Sequence, residues 1–266
     1  RLETQLPRRL GIGHRRKLTV RALVRRCRPP RPKRDPLTHR PGTMDCVQDS
    51  VHDRAARDDA RALVPEWQQL LARYTAAPAA DSVGRRLLDS WCEPHRRYHS
   101  VRHLRDVLRG VDDLAAYADD PDAVRIAAWY HDAVYAGRPD DEERSARRAE
   151  EELSRLDVAP RLVDEVARLV RMTVTHDPAP GDRNAEVLSD ADLASLAVSS
   201  ERYRLNTAAI RQEYAHVPDE VFRKGRMQVL TSLLEGPGVF RTGPGRQLWE
   251  AAARENLLAE LATLSH

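Results

Sequence analysis

Helical periodicity is the feature of this sequence that most constrains its fold. From about residue 56 onwards, apolar residues recur three or four positions apart, as in "ALVPEWQQLLARY" from Ala62 and in "RQLWEAAARENLLAELATL" from Arg246. This spacing is typical of amphipathic helices, and no alternating run long enough for a strand accompanies it. The pattern therefore predicts one all-α domain of eight to ten helices over about residues 50–266.

Capping residues and breaks predict where several helices begin and end. Ser100 is a candidate N-cap for the helix that follows it, and Asp122, after Pro121, is expected to open a helix that ends near Gly137. Asp140 or Asp141 is a candidate cap for the next helix, whose first turn is acidic. The stretch "GPGVFRTGPG" predicts a clear break before the last helix.

Charge divides the chain into two parts. Residues 1–43 contain 14 Lys and Arg, only two Asp and Glu, and six of the 17 prolines, whereas residues 44–266 are acidic. The first segment lacks apolar periodicity, so we exclude it from the folded domain. It is either a disordered basic arm or an extension from a misplaced start, and we favour a protein that begins at Met44. Since the positive charge lies in this segment, nucleic acid is an unlikely partner.

Several other classes of protein are disfavoured. No apolar stretch approaches the length of a membrane span, so we expect no membrane partner. Cys27, Cys46 and Cys92 are widely spaced and odd in number, which argues against a disulfide scaffold or a thiolate zinc site and favours a cytoplasmic protein. Neither GxxxxGK[ST] nor GxGxxG occurs, which makes a P-loop or Rossmann nucleotide site unlikely.

Histidine and aspartate occur together within otherwise apolar helical segments. The clearest case is "AAWYHDAVYA", which contains His131 and Asp132. The same residue types appear in "HRRYHSVRHL", "TVTHD" and "LSDADLASL". A buried carboxylate is costly unless it is paired with a positive group or a metal. Two histidines and two aspartates from three helices would supply the nitrogen and oxygen ligands that divalent transition metals accept, and a water activated by such a metal can attack phosphorus.

The ordered motifs resemble those of the HD superfamily of metal-dependent phosphohydrolases, and in particular a family of small bacterial predicted HD phosphohydrolases. The resemblance covers roughly residues 60–264. It rests on "RRYHSVRHL", "AAWYHDAVY", "EERSA", "THD", "DADLASL", "IRQEY", "GRMQVL" and "AREN", which occur in this order. It implies an HD-like helical bundle and metal-dependent hydrolysis of a phosphate ester, and it does not imply a particular substrate.

The resemblance also implies a ligand set. His103 is the best candidate for the first ligand, His131 and Asp132 form the doublet, and Asp192 is preferred to Asp190 as the last ligand. His176 is a candidate for a further ligand, which leaves a one-metal and a two-metal centre as alternatives. The ion is divalent, and Mn, Fe, Co, Ni, Zn and Mg all remain open.

Other residues are candidates for catalysis or substrate binding. Glu143 is slightly preferred to Glu142 as a general base, although both also suit the first turn of a helix. Arg97, Arg211 and Arg226 are candidates for contacts with phosphate oxygens, and His99 lies one turn from His103, where it can contact substrate. Tyr98, Tyr203 and Tyr214 are candidates to line the pocket, although buried tyrosines more often belong to the core.

These expectations combine into one leading hypothesis. The chain is expected to hydrolyse a phosphate ester of a nucleotide or another small phosphorylated metabolite, with Asp132 and Glu143 in the catalytic machinery. The alternative is a nucleotide-binding or regulatory protein that uses an HD scaffold without turnover. The sequence is silent on the oligomeric state.

Overall fold

The structure is a computed structural model that describes residues 51–265, with side chains from residue 59 onwards. The predicted basic extension 1–43 and the predicted start at Met44 lie outside the described residues. Within residues 51–265 the chain is all-α, as predicted, and contains no strand. The ten helices are α1 (Val51–Leu71), α2 (Ala80–Trp91), α3 (Val101–Asp113), α4 (Pro121–Tyr130), α5 (Asp141–Arg155), α6 (Pro160–Met172), α7 (Arg183–Leu193), α8 (Ser200–Glu213), α9 (Asp219–Glu235) and α10 (Gly243–Leu264).

Helix α4 is the central element of the bundle. Eight of its ten residues are buried, and it packs against α3, α6 and α7. A helix that is apolar on all sides must be enclosed by others, and the main core forms around α4 from residues of α1 to α7. A second core joins α9 and α10 to the short 3-10 helix Ala194–Ala197 that follows α7. None of the helices in the described range is long and apolar enough to cross a bilayer.

The helix that carries the His–Asp doublet ends earlier than the sequence predicts. It stops at Tyr130 rather than near Gly137, and His131 occupies the C-cap position. The reason is that side chains take the carbonyls to which the next amides would bond. Nδ1 of His131 donates to the carbonyl of Ala128, and the Trp91 indole donates to that of Trp129. Arg96 donates to the carbonyls of Asp132 and Ala133, and the carbonyl of Tyr135 lies 2.7 Å from Nε2 of His95.

The predicted helix starts at Ser100 and Asp122 are close to those observed, but neither side chain makes a capping hydrogen bond. Asp120, not Asp122, caps α4 by accepting a hydrogen bond from the amide of Ala123, while Asp122 pairs with arginines. Ser100 occupies the N-cap position of α3, but its side chain makes no capping hydrogen bond.

A close approach of α3 and α7 brings together the helices of the candidate site. A Cβ atom placed on Gly110 of α3 would lie 3.0 Å from Cα of Ala191 on α7, which is closer than ordinary van der Waals contact. Ala191 is the neighbour of Asp192, and His103 lies two turns before Gly110. Because the neighbouring atoms belong to the backbone, any larger residue at 110 must push the two helices apart.

We therefore expect Gly110→Ala to destabilise the protein by about 1–2 kcal/mol, because overpacking outweighs the higher helix propensity of alanine. The midpoint of thermal unfolding should fall by roughly 2–8 °C, measured by calorimetry. Gly243→Ala is the matched control, since a Cβ atom there meets nothing within 4 Å. An equal gain in stability for both variants would contradict this account of the α3–α7 contact.

Candidate metal centre

Four of the predicted ligands meet where α3, α4 and α7 converge. His103 lies in the first turn of α3, His131 and Asp132 follow the last residue of α4, and Asp192 lies in the last turn of α7. His103, His131 and Asp132 are buried, and the Asp192 side chain is 13% exposed. We refer to these four residues as the ligand cluster.

The distances within the ligand cluster are short. Nε2 of His103 lies 2.9 Å from Oδ1 of Asp192 and 3.4 Å from Nε2 of His131. Nε2 of His131 lies 3.4 Å from Oδ2 of Asp132 and 3.6 Å from Oδ1 of Asp192. The ligand atoms of His103, His131 and Asp132 all lie within 4.8 Å of one another. Two carboxylates and two imidazoles therefore converge on one small volume.

Hydrogen bonding orients His131 towards the other three residues. Its Nδ1 donates to the carbonyl of Ala128 at 2.8 Å, since a carbonyl oxygen can only accept. In the neutral ring Nε2 is then left with a lone pair, and this is the atom that faces the ligand cluster. The ring of Trp91 packs against that of His131 at 5.3 Å and restricts its movement.

The charges of the ligand cluster favour a cation. Burial raises the pKa of Asp192, but His131, His103 and His176 outweigh that effect and hold it well below its usual range. Burial lowers the pKa of His103, yet the nearby carboxylates of Asp192, Asp132 and Asp106 leave it above its usual value. Carboxylates that attract a proton to His103 would also attract a metal ion to the same place.

The donor set and its spacing fit a divalent metal ion. Ligand atoms bound at ~2.1 Å lie about 3.0 Å apart when adjacent in an octahedron and about 3.4 Å apart in a tetrahedron. Four of the six pairs in the ligand cluster, with separations of 2.9 to 3.6 Å, fall around these values. Two imidazole nitrogens with two carboxylate oxygens suit Mn, Fe, Co, Ni or Zn better than Mg, which prefers oxygen.

His176 extends the ligand cluster on the α6 side. It follows the end of α6 with a φ of 47°, and its Nε2 lies 3.3 Å from Oδ2 of Asp192. Among the described residues its buried Nδ1 has no hydrogen-bond partner. Burial is the main cause that lowers the pKa of His176. A neutral imidazole with this orientation can serve as an additional ligand or contact a substrate oxygen.

The ligand cluster lies at one side of a cavity of about 200 Å³. His131, Asp132 and Asp192 line it, together with His176 and the buried carboxylate of Glu142. Three helices from the C-terminal part of the chain, α8, α9 and the end of α7, supply the opposite walls. A small molecule in this cavity would therefore lie beside the ligand cluster.

Glu213 holds the loop before α3 against the end of α8. Its Oε1 accepts hydrogen bonds from the amides of Arg97, Tyr98 and His99, at 2.7 to 3.0 Å. Its Oε2 accepts from the Tyr135 hydroxyl at 2.8 Å and lies 2.6 Å from Nδ1 of His99. Burial raises the pKa of Glu213, but these donors outweigh burial and lower it to about 2.

Arg96 supports the turn that carries Asp132. Its guanidinium donates to the carbonyls of His99 and Asp132, at 3.1 and 2.8 Å, and its side chain is fully buried. It also lies over the rings of Trp91 and Tyr135. Arg96 therefore ties the loop before α3 to the turn after α4.

Four candidates from the sequence lie away from the cavity. Asp190 points to the loop before α10, where it accepts hydrogen bonds from the amides of Arg241 and Thr242, and burial raises its pKa to about 6. Glu143, the residue preferred from the sequence, pairs with Arg171 and Arg147 outside the cavity, whereas Glu142 lines the cavity.

Two of the three arginines predicted to contact phosphate also lie away from the cavity. The Arg97 side chain is exposed and lines a separate groove, while Arg211 bonds to Asp219 and to the carbonyls of Tyr214 and Val217. Arg226 and His99 do line the cavity, and so do Tyr98, Tyr203 and Tyr214. Arg226, however, is already bound to Glu260 at 2.8 and 2.9 Å.

Sequence reasoning missed Arg96 and Glu213. Arg96 precedes Arg97, which was predicted to contact phosphate. The local backbone conformation decides which of these two side chains is buried. Glu213 lies within the quoted motif "IRQEY", but it follows Arg211 and Gln212, so nothing in the local pattern signalled a buried carboxylate.

No protein-family model matches this chain, and no curated protein and no solved structure matches it either. Membership of the HD superfamily therefore stays a prediction.

We expect Glu213→Gln to destabilise the protein by about 2–3 kcal/mol at neutral pH, because an amide cannot accept five hydrogen bonds. The carboxylate's contribution is present above pH ~4.5, the ordinary pKa, and is lost as pH falls towards 2. Thermal unfolding at pH 7 and pH 3 should show a difference between wild type and variant that shrinks at the lower pH. Glu255→Gln, on an exposed part of α10, is the control, and a constant difference at both pH values would contradict the assignment.

Proposed function

We propose that this protein is a divalent-metal-dependent phosphohydrolase of the HD type that cleaves a phosphate ester of a small molecule. The proposal is supported by the order of the motifs and by the convergence of His103, His131, Asp132 and Asp192. The single observation that carries it is the spacing of 2.9 to 3.6 Å in four of the six pairs of these ligand atoms, beside a cavity of about 200 Å³.

Each residue of the site has a part in the proposed reaction. The ligand cluster would hold the ion, with His176 as a further ligand or as a donor to a phosphate oxygen. When bound, such an ion supplies Lewis-acid chemistry, because it lowers the pKa of water and polarises the phosphoryl group. Glu142 is the buried carboxylate in the cavity that is positioned to accept a proton from the attacking water.

The bond changes of the proposed reaction are simple. The water oxygen forms a bond to phosphorus while the bond from phosphorus to the ester oxygen breaks. Glu142 takes one proton from the water, and the departing alkoxide takes up a proton to leave as an alcohol. Arg96 and Glu213 keep the turn after α4 and the loop before α3 in place during this step, and neither contacts the substrate.

We expect the full-length protein to bind about one or two equivalents of Mn²⁺ or Co²⁺ after reconstitution, measured by mass spectrometry. Asp132→Asn should lose most of this metal, because an amide is a much poorer ligand than a carboxylate. Asp113→Asn removes a charge from the exposed end of α3 and serves as the matched control. Equal metal content in all three proteins, or none in any of them, would contradict the proposed metal centre.

We expect Glu142→Gln to keep its metal and to lower kcat by about 10²- to 10⁴-fold on a phosphate monoester, because it removes the proton acceptor. Glu143→Gln is the neighbouring control and should retain activity, since Glu143 lies outside the cavity. Phosphate release by the metal-loaded proteins measures both. Binding of metal and substrate without any turnover in wild type would instead favour a binding or regulatory protein on the same scaffold.

A further inference from the structure

The cavity continues beyond the ligand cluster into an apolar wall. Its residues are supplied by the end of α7, the 3-10 helix, α8 and α9, and they are Leu193, Leu196, Ile210, Val229 and Leu233. All five are half-buried rather than buried, so they leave apolar surface facing the cavity. Three tyrosines, Tyr98, Tyr203 and Tyr214, also line the cavity. A ligand with an apolar body would cover this surface.

The cationic groups that line the cavity are already neutralised. Arg226 is the only Lys or Arg among the described lining residues, and its guanidinium bonds to both carboxylate oxygens of Glu260. Glu260 also accepts a hydrogen bond from the Tyr203 hydroxyl. Moving Arg226 towards a ligand would leave the Glu260 carboxylate buried and uncompensated, which is strongly unfavourable. His99 is likewise held by Glu213.

Acidic side chains make the cavity unfavourable for further negative charge. Asp132, Glu142 and Asp192 all line it. A divalent ion at the ligand cluster would offset part of this negative charge and accept one phosphate group. A second or third phosphate would find no unpaired cation there and would be repelled by the carboxylates.

Two arginines that form no ion pair with a carboxylate of the described residues lie close by, outside the cavity. Arg97 and Arg102 line a neighbouring groove of about 440 Å³. Tyr98 and Ser195 are shared by the two spaces, and their hydroxyls are joined by a hydrogen bond of 2.5 Å. These arginines therefore belong to a separate groove, which His103 of the ligand cluster also lines, and not to the wall of the cavity.

The size of the cavity limits the organic part of the substrate. An apolar protein cavity of about 150 Å³ holds a benzene molecule. The present cavity, of about 200 Å³, thus has room for a group of about one ring. Asn206 and Thr207 on α8 offer the few polar contacts on that side.

We propose that the substrate is a phosphate monoester of a small, uncharged and largely apolar group, and that polyphosphates are excluded. This inference rests on the proposed function and narrows it. It depends on the apolar wall and on the pairing of Arg226 with Glu260.

Matched substrates test the inference directly. Benzyl phosphate and glycerol 3-phosphate both release a primary alcohol, so a difference between them reports on the body of the substrate rather than on the leaving group. With the Mn²⁺-loaded full-length protein, we expect kcat/KM for benzyl phosphate to be about 10- to 100-fold higher. Hydrolysis of tripolyphosphate should be slower than that of either ester. Equal or faster hydrolysis of tripolyphosphate or glycerol 3-phosphate would overturn the proposal.

An isosteric substitution tests the apolar wall. Val229→Thr replaces a methyl group with a hydroxyl of the same shape and should lower the ratio of kcat/KM between benzyl phosphate and glycerol 3-phosphate roughly 3- to 10-fold. Val221→Thr, on the same helix but outside the cavity, is the matched control. An unchanged ratio in Val229→Thr would overturn the role of the wall.

Binding measurements distinguish a failure of this inference from a failure of the proposed function. If none of the esters is hydrolysed by the metal-loaded protein, the proposed function fails, and calorimetry with benzylphosphonate and tripolyphosphate still tests the cavity. Tighter binding of benzylphosphonate would support the specificity, and tighter binding of tripolyphosphate would overturn it.

Discussion

Burial of two carboxylates against two imidazoles is the interaction on which the rest of this structure depends. Asp132 and Asp192 are brought to His103 and His131 from separate parts of the chain, in a place with little access to water. Such a group is stable only when its charges are balanced, by protons on the histidines or by a cation. The fold meets this requirement with the close contact at Gly110, which lets α3 and α7 approach until His103 and Asp192 touch.

Two further polar networks keep the ligands in place. Arg96 fixes the turn after α4, and Glu213 fixes the loop before α3 by gathering three consecutive amides. Asp190 performs a similar task on α7, where it binds the loop before α10 through Arg241 and Thr242. These buried groups explain why acids and arginines occur in segments that otherwise look like plain core helices. Their hydrogen bonds fix the segments that carry the ligand cluster, and so define the orientation of its side chains.

The sequence predicted much of this arrangement, and its misses have two physical causes. Periodicity predicted the all-α bundle correctly, and the occurrence of His and Asp indicated which four segments meet at the candidate site. The choice between near neighbours was harder, since residues one apart on a helix differ by about 100° in direction and residues two apart by about 200°. Glu142 rather than Glu143 faces the cavity, and Arg96 rather than Arg97 is buried. The second cause is contact between distant segments. Trp91, which lies far from α4 in the sequence, takes the carbonyl of Trp129 near the end of this helix.

The central claim is that His103, His131, Asp132 and Asp192 hold a divalent metal. X-ray absorption spectroscopy of the full-length protein loaded with Mn²⁺ or Co²⁺ tests it most directly, because it reports the atoms around the ion whether or not a substrate is known. The account predicts nitrogen and oxygen ligands at about 2.0–2.2 Å, with the outer-shell scattering of two or three imidazole rings. It also predicts that the imidazole signal weakens in His103→Ala. A shell of water-like oxygens without imidazole scattering in the wild-type protein would contradict it.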